Sequence, residues 1–112
     1  MNLSTSEAEG ATVIRVGEDR IDAAVAIQFK DAMRELTGGA HGRVVLDLGR
    51  VAFIDSSGLG AIVSVLKFLA PERRLELAAL TPNVERVFRL TRMNEVFHIL
   101  PSSPGADHAH AS

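Results

Sequence analysis

Apolar and polar positions along this chain fall into segments of two periods. Ala11-Thr-Val-Ile-Arg-Val-Gly17 is short, β-branched and closed by a glycine, which predicts a strand. The small polar residues 1–10 before it offer a flexible lead or a weak edge strand, with a turn at Glu9-Gly10. From Asp22 the period changes. Val25, Phe29, Ala32, Met33 and Leu36 recur at helical spacing, with Asp22 as the expected N-cap and Gly38-Gly39 as the stop. Arg43-Val-Val-Leu-Asp-Leu48, set between two glycines, predicts a central strand. Ala52-Phe-Ile54 then runs into Asp55-Ser-Ser-Gly, where Asp55 or a serine caps a helix over 57–70. The buried side of that helix is expected to carry Leu59, Ile62, Val63, Leu66 and Leu69 or Ala70, and Pro71 ends it.

Arg74–Leu80 alternates at its start and predicts another strand. Pro82 suits the first position of a short helix with Val84, Val87 and Phe88 on one face. Asn94–Leu100 predicts a last strand. Residues 101–112 carry prolines, a glycine and small polar side chains without an apolar period, so they read as a disordered tail. Removing residues 103–112 is accordingly expected to leave the melting temperature nearly unchanged. The alternation of strands and helices over 11–100 predicts one α/β domain, an open sheet of about four to five strands with helices packed on it. Functional sites in such sheets lie beyond strand carboxyl ends, where the Asp55–Gly60 turn falls.

Composition narrows the function. At 112 residues the chain suits a single domain. It has no cysteine, hence no disulfide, thiolate nucleophile or thiolate metal site. Lys and Arg number 12 against 14 Asp and Glu, with no basic block, which argues against nucleic acid as a direct partner. Five phenylalanines without Trp or Tyr offer little for base stacking. The apolar run from Gly60 is broken by Lys67 well short of the roughly 20 residues that span a bilayer, so no membrane insertion is expected. The first residues lack the basic and apolar regions of a signal peptide, which leads to the expectation of a cytoplasmic protein.

Enzymatic readings find little support, and no cofactor is expected. A hydrolase triad would join Ser56 to an aspartate and to His41 or His98, yet no G-x-S-x-G is present. Gly58-Leu-Gly60 is not followed by the Gly-Lys-Ser/Thr of a phosphate loop. His108-Ala-His110 is too sparse to predict a metal site. Glu85, Arg86, Arg89 and Arg92 read as a solvated helix face.

The run with chemical potential is Asp55-Ser-Ser-Gly-Leu-Gly60. A serine opening a helix lies near unpaired N–H groups and the positive end of the macrodipole, where a phosphate of about −1.5 to −2 charge is tolerated. The same charge within a contact surface repels an acidic or apolar partner. Gly58 and Gly60 keep the neighbourhood small, so another protein can approach the turn. By spacing alone the run is a plain helix cap or a switch, the cap being the commoner role.

Val44–Gly60, with the strand, the turn, D-S-S-G-L-G and the apolar helix in order, resembles the core of STAS domains, specifically the anti-sigma factor antagonists. The similarity extends over about 11–100. It includes Arg20-Ile-Asp22, which resembles the family's G-x-L-D turn, and Thr81-Pro-Asn-Val-Glu-Arg-Val-Phe before the third helix. The resemblance implies a STAS-type mixed sheet and a bacterial, non-enzymatic regulator. Its partner would be a GHKL-type protein, both anti-sigma factor and serine kinase, which the unphosphorylated form binds so that a sigma factor is released. Ser56 is the implied phosphoacceptor, and a PP2C-type phosphatase the implied means of reversal. Asp55, Ser57, Gly58 and Leu59 are the implied docking surface, with Asp22 on a neighbouring turn. Alternatives within the same fold are an accessory subunit regulating a transporter ATPase and a phospho-regulated scaffold without a sigma partner. The chain departs from the family at Glu18-Asp19-Arg20-Ile21, where a glycine commonly stands, and its tail lacks the pattern of a closing helix.

Overall fold

The computed structural model describes residues 1–39 and 42–106. His41, His108 and His110 therefore lie outside the described residues. Strands β1 (Leu3–Ala8) and β2 (Ala11–Val16) form an antiparallel hairpin. Its two-residue turn places both Glu9 (φ 51°) and Gly10 (φ 76°) in the left-handed region, as the twist of a tight hairpin requires. Next come β3 (Arg20–Ile21), α1 (Ala26–Thr37), β4 (Arg43–Asp47), β5 (Phe53–Ile54) and α2 (Ser56–Leu69). They are followed by β6 (Arg74–Ala78), α3 (Pro82–Leu90), a 3-10 turn at Met93–Glu95 and β7 (His98–Leu100).

The main sheet has the order β1-β2-β4-β6-β7, parallel except for the β1 edge, and the β-α alternation makes it an α/β fold. Register rows alternate between its faces. Ile14, Leu46 and Leu77 share one row on the helix-covered face, where Phe29 and Met33 of α1, Ile62 and Val65 of α2, and Val84 and Phe88 of α3 complete one apolar core. Phe88 meets Phe97 edge to face, centroids 5.8 Å apart, which closes the core at the β7 end.

The helices differ from expectation in start and facing. Asp22 does not cap α1. Its carboxylate accepts from the Ala24 N–H within a turn, and the helix begins at Ala26 behind Val25. Helix α2 begins at Ser56, and it buries Gly58, Ala61, Ile62, Val65 and Leu69, whereas Leu59, Val63 and Leu66 are only half-buried. The stripe is rotated because Gly58 and Ala61 let the helix approach the sheet closely. The last predicted strand is divided into the 3-10 turn and β7, since Arg92 (φ 60°) turns the chain sharply after α3.

The second face of the sheet is covered differently. Ala11, Val13, Val45 and Ala78 form a small apolar cluster between two buried carboxylates. Glu76 accepts from Arg43 Nε at 2.5 Å and lies 3.6 Å from His98 Nε2. Asp47 accepts from the Gly49 N–H at 2.8 Å, pairs with Arg15 at 3.5 Å and accepts the Ser103 hydroxyl. Ser103 is buried, and Gly105 lies so near Ala8 of β1 that a Cβ on it would stand 3.1 Å from the alanine methyl. Residues 101–106 thus run from β7 past β4 towards β1, where the sequence pattern predicts a loose tail. An Asp–Ser hydrogen bond, invisible to apolar periodicity, fastens them.

Candidate functional site

Two turns meet at the carboxyl ends of β3 and β5. These strands are only two residues long, and they pair in parallel as a separate ribbon, Arg20 with Phe53 and Ile21 with Ile54. The ribbon brings Asp22 and Asp55, 33 positions apart in sequence, onto adjacent turns.

Asp55 joins them. It is the N-cap of α2 with extended backbone, and its Oδ1 accepts from the Gly58 N–H at 2.8 Å. Its Oδ2 accepts from the Ala23 N–H at 3.1 Å, so one carboxylate holds both the helix start and the turn after β3. The Gly58 N–H, foremost, with those of Ala23 and Ser57, holds the Asp55 carboxyl below the usual carboxylate range, against the opposing pull of desolvation. Asp22 is half-buried, with Oδ2 3.4 Å from Arg20 Nε, and the Arg20 guanidinium lies 4.8 Å above the ring of half-exposed Phe53.

Gly58 is buried. A Cβ placed there would stand 2.0 Å from the Ile21 carbonyl oxygen and 2.9 Å from Ile54, so the absent side chain admits the β3 backbone. Its contribution to the surface comes from beneath. At Gly60, by contrast, a Cβ would meet nothing within 4 Å, and that position is open.

Above this foundation Ser56 and Ser57, the first two residues of α2, are exposed and Leu59 is half-buried. Among the described residues no side chain hydrogen-bonds the Ser56 hydroxyl, and His98 is committed to Glu76 on the other face of the sheet. Sequence reasoning missed Phe53 and the Ala23 N–H as parts of this surface, because a two-residue ladder leaves no periodic signal.

An exposed serine on a doubly anchored helix start, in an α/β sheet with an antiparallel edge, is the arrangement this fold presents at the ends of β3 and β5. The chain belongs to the STAS domain family, whose model matches residues 2–106. It is 29% identical over 107 residues to BtrV of Bordetella bronchiseptica, named provisionally as an anti-sigma factor antagonist, covering 95% of this chain and 91% of that protein. The fold is similar to that of an anti-sigma factor antagonist domain protein of Planctomyces limnophilus, with TM-score 0.81, 23% identity and 98% of each chain covered. It is also similar to the Bacillus cell-fate determinant SpoIIAA in its phosphorylated form, with TM-score 0.62, 16% identity, 99% of this chain and 100% of that one.

Among the described residues no helix is long and apolar enough to cross a membrane.

Proposed function

We propose that this chain is an anti-sigma factor antagonist that binds its anti-sigma factor through the Asp22–Asp55 double turn and is switched off by phosphorylation of Ser56. The observation that carries this reading is the exposed Ser56 hydroxyl, without a side-chain hydrogen bond among the described residues, at the first position of a helix whose start is fixed by Asp55. The names of the similar proteins support the antagonist role, and SpoIIAA is a structural neighbour with a phosphorylated form.

The partner in this reading is a GHKL-type anti-sigma factor and serine kinase that brings ATP, metal and base of its own. The hydroxyl of Ser56 loses its proton to the kinase's base and its Oγ takes the γ-phosphoryl group of ATP, the bond to the bridging oxygen breaking as ADP leaves. Asp22, Ser57 and Leu59 shape the contact, while Asp55 and Gly58 hold it in place. A neutral hydroxyl becomes a group of about −2 charge next to the ionised Asp55. Desolvating that charge against a partner costs several factors of ten in affinity, each factor about 1.4 kcal/mol. A PP2C-type phosphatase resets the switch in the bacterial cytoplasm.

The test uses Ser56→Ala and Ser56→Asp with the purified kinase from the same organism. Ser56→Ala is expected to bind like the wild type and to accept no phosphate. Ser56→Asp is expected to bind at least about tenfold more weakly at unchanged melting temperature, because the charge lies in the contact and outside the core. Stoichiometric phosphorylation of Ser56→Ala, or undiminished affinity of Ser56→Asp by calorimetry, rejects the assignment.

A further inference from the structure

Helices α1 and α2 pack side by side, and between them lies an open cleft of about 420 Å³ lined by Lys30, Asp31, Arg34, Ser64, Lys67 and Phe68. Three cations face one carboxylate there, in a chain whose net charge is −2. Among the described residues none of the three cations is in an ion pair. Lys30 and Arg34 stand four apart on one helix, a like-charge spacing that destabilises the helix on its own. The guanidinium of Arg34 is laid 4.5 Å over the Phe68 ring, which holds it in place at the cleft wall. Asp31 offsets only part of this charge, so the cleft keeps an excess of cations that an acidic partner can meet.

The cleft lies on the same face of α2 as the serine turn. Phe68, Ser64, Gly60 and Ser57 follow one stripe of α2 at spacings of three and four, and Arg34, Lys30 and Ile27 do the same on α1, with Asp31 beside Lys30. Towards the helix starts the stripes end in Ile27, 69% exposed, and in Gly60 and Ser57, both exposed. The cleft's lining on α2, from Ser64 to Phe68, begins about 11 Å along the helix from Ser57 at the helical rise per residue. The open form of the cleft and the helix face it shares with the serine turn suit an extended macromolecular segment better than an enclosed small ligand.

We propose that the α1–α2 groove is a second contact site for the protein that reads the Ser56 turn, taking an acidic segment of that partner against Lys30, Arg34 and Lys67. The proposal rests on the reading of Ser56 given above. The two ends then divide the work. The groove supplies steady electrostatic attraction and sets orientation, and the serine decides whether the docked pair can close.

The experiment measures association and dissociation of the purified kinase at low and high salt. The variants are Lys30→Glu/Lys67→Glu, Asp31→Asn and, on the far face of the sheet, Arg74→Glu, with melting temperatures as folding controls. Lys30→Gln/Lys67→Gln serves as a milder pair should the reversal disturb packing. The expected result is association slowed about tenfold or more by the Glu pair, with a flatter salt dependence, a smaller loss with the Gln pair, and faster association of Asp31→Asn. Arg74→Glu is expected to match the wild type. Unchanged rates and salt dependence for both Lys pairs overturn the proposal. So does saturable binding of inorganic pyrophosphate that the Lys pair abolishes without affecting the kinase, which would make the cleft a small-anion site. If the Glu pair loses binding while Ser56→Asp keeps it, the groove stands and the serine reading falls; if the wild type does not bind the kinase, both fall.

Discussion

At Gly58 the missing side chain is a packing requirement of the fold. A methyl group there would stand 2.0 Å from the Ile21 carbonyl, so either α2 or the ribbon must move. Gly58→Ala is expected to destabilise the domain by about 3 kcal/mol, the upper range for overpacking, lowering the melting temperature by roughly 10 °C or more. A thermal melt within about 2 °C of the wild type would refute the close approach. Asp55 carries a pH signature. Its carboxyl lies lower in the folded chain than in the unfolded one, so its contribution is present above the unfolded value and is lost as pH falls through the folded one. Asp55→Asn should therefore melt below the wild type at neutral pH, and the gap should close below about pH 4. A gap that persists undiminished near pH 3 contradicts the cap. The N-cap itself was legible from Asp55-Ser-Ser-Gly, since capping chemistry is local. The second bond, from Ala23, was not, because it depends on where a distant turn lies.

Elements repeat that division. Helix α3 opens at Pro82 as its sequence predicts, because a proline ring presets the first turn, and the hairpin turn at Glu9-Gly10 follows equally local rules. Strands β3 and β5 escaped periodicity, since two residues carry none. Segment 101–106 illustrates a related limit. A stretch without an apolar period can still be fixed by one buried polar contact, here Ser103 with Asp47. Ser103→Ala leaves that carboxylate short of a donor and is expected to cost about 1.5–3 kcal/mol. A chain ending at Ser102 should lose at least as much, where the apolar pattern alone would forecast no loss. Equal urea midpoints for wild type and both variants would show that the segment is not fastened.

On the scale of the whole molecule, the two sheet faces have different tasks. One buries the helices against Ile14, Leu46 and Leu77 and so presents the starts of α1 and α2 together. The other holds Glu76 and Asp47 under Arg43, Arg15, His98 and Ser103. Breaking such a buried pair is costly while forming it adds little, which suits groups that specify one arrangement. The exposed Ser56 turn and the cationic groove are both on the helix side, so a single partner can read them at once.

The sequence by itself determined the class of fold, the order of its main elements and the serine to examine, because strand and helix periods, caps and turn residues act within a few positions of one another. Only the tertiary structure decided that Asp55 fastens two turns, that Gly58 lies beneath the surface, that residues 101–106 close the second face, and that Lys30, Arg34 and Lys67 share one cleft. Each of those depends on contacts between residues far apart in the chain, and they exist only once the sheet has set the distance between its helices and turns.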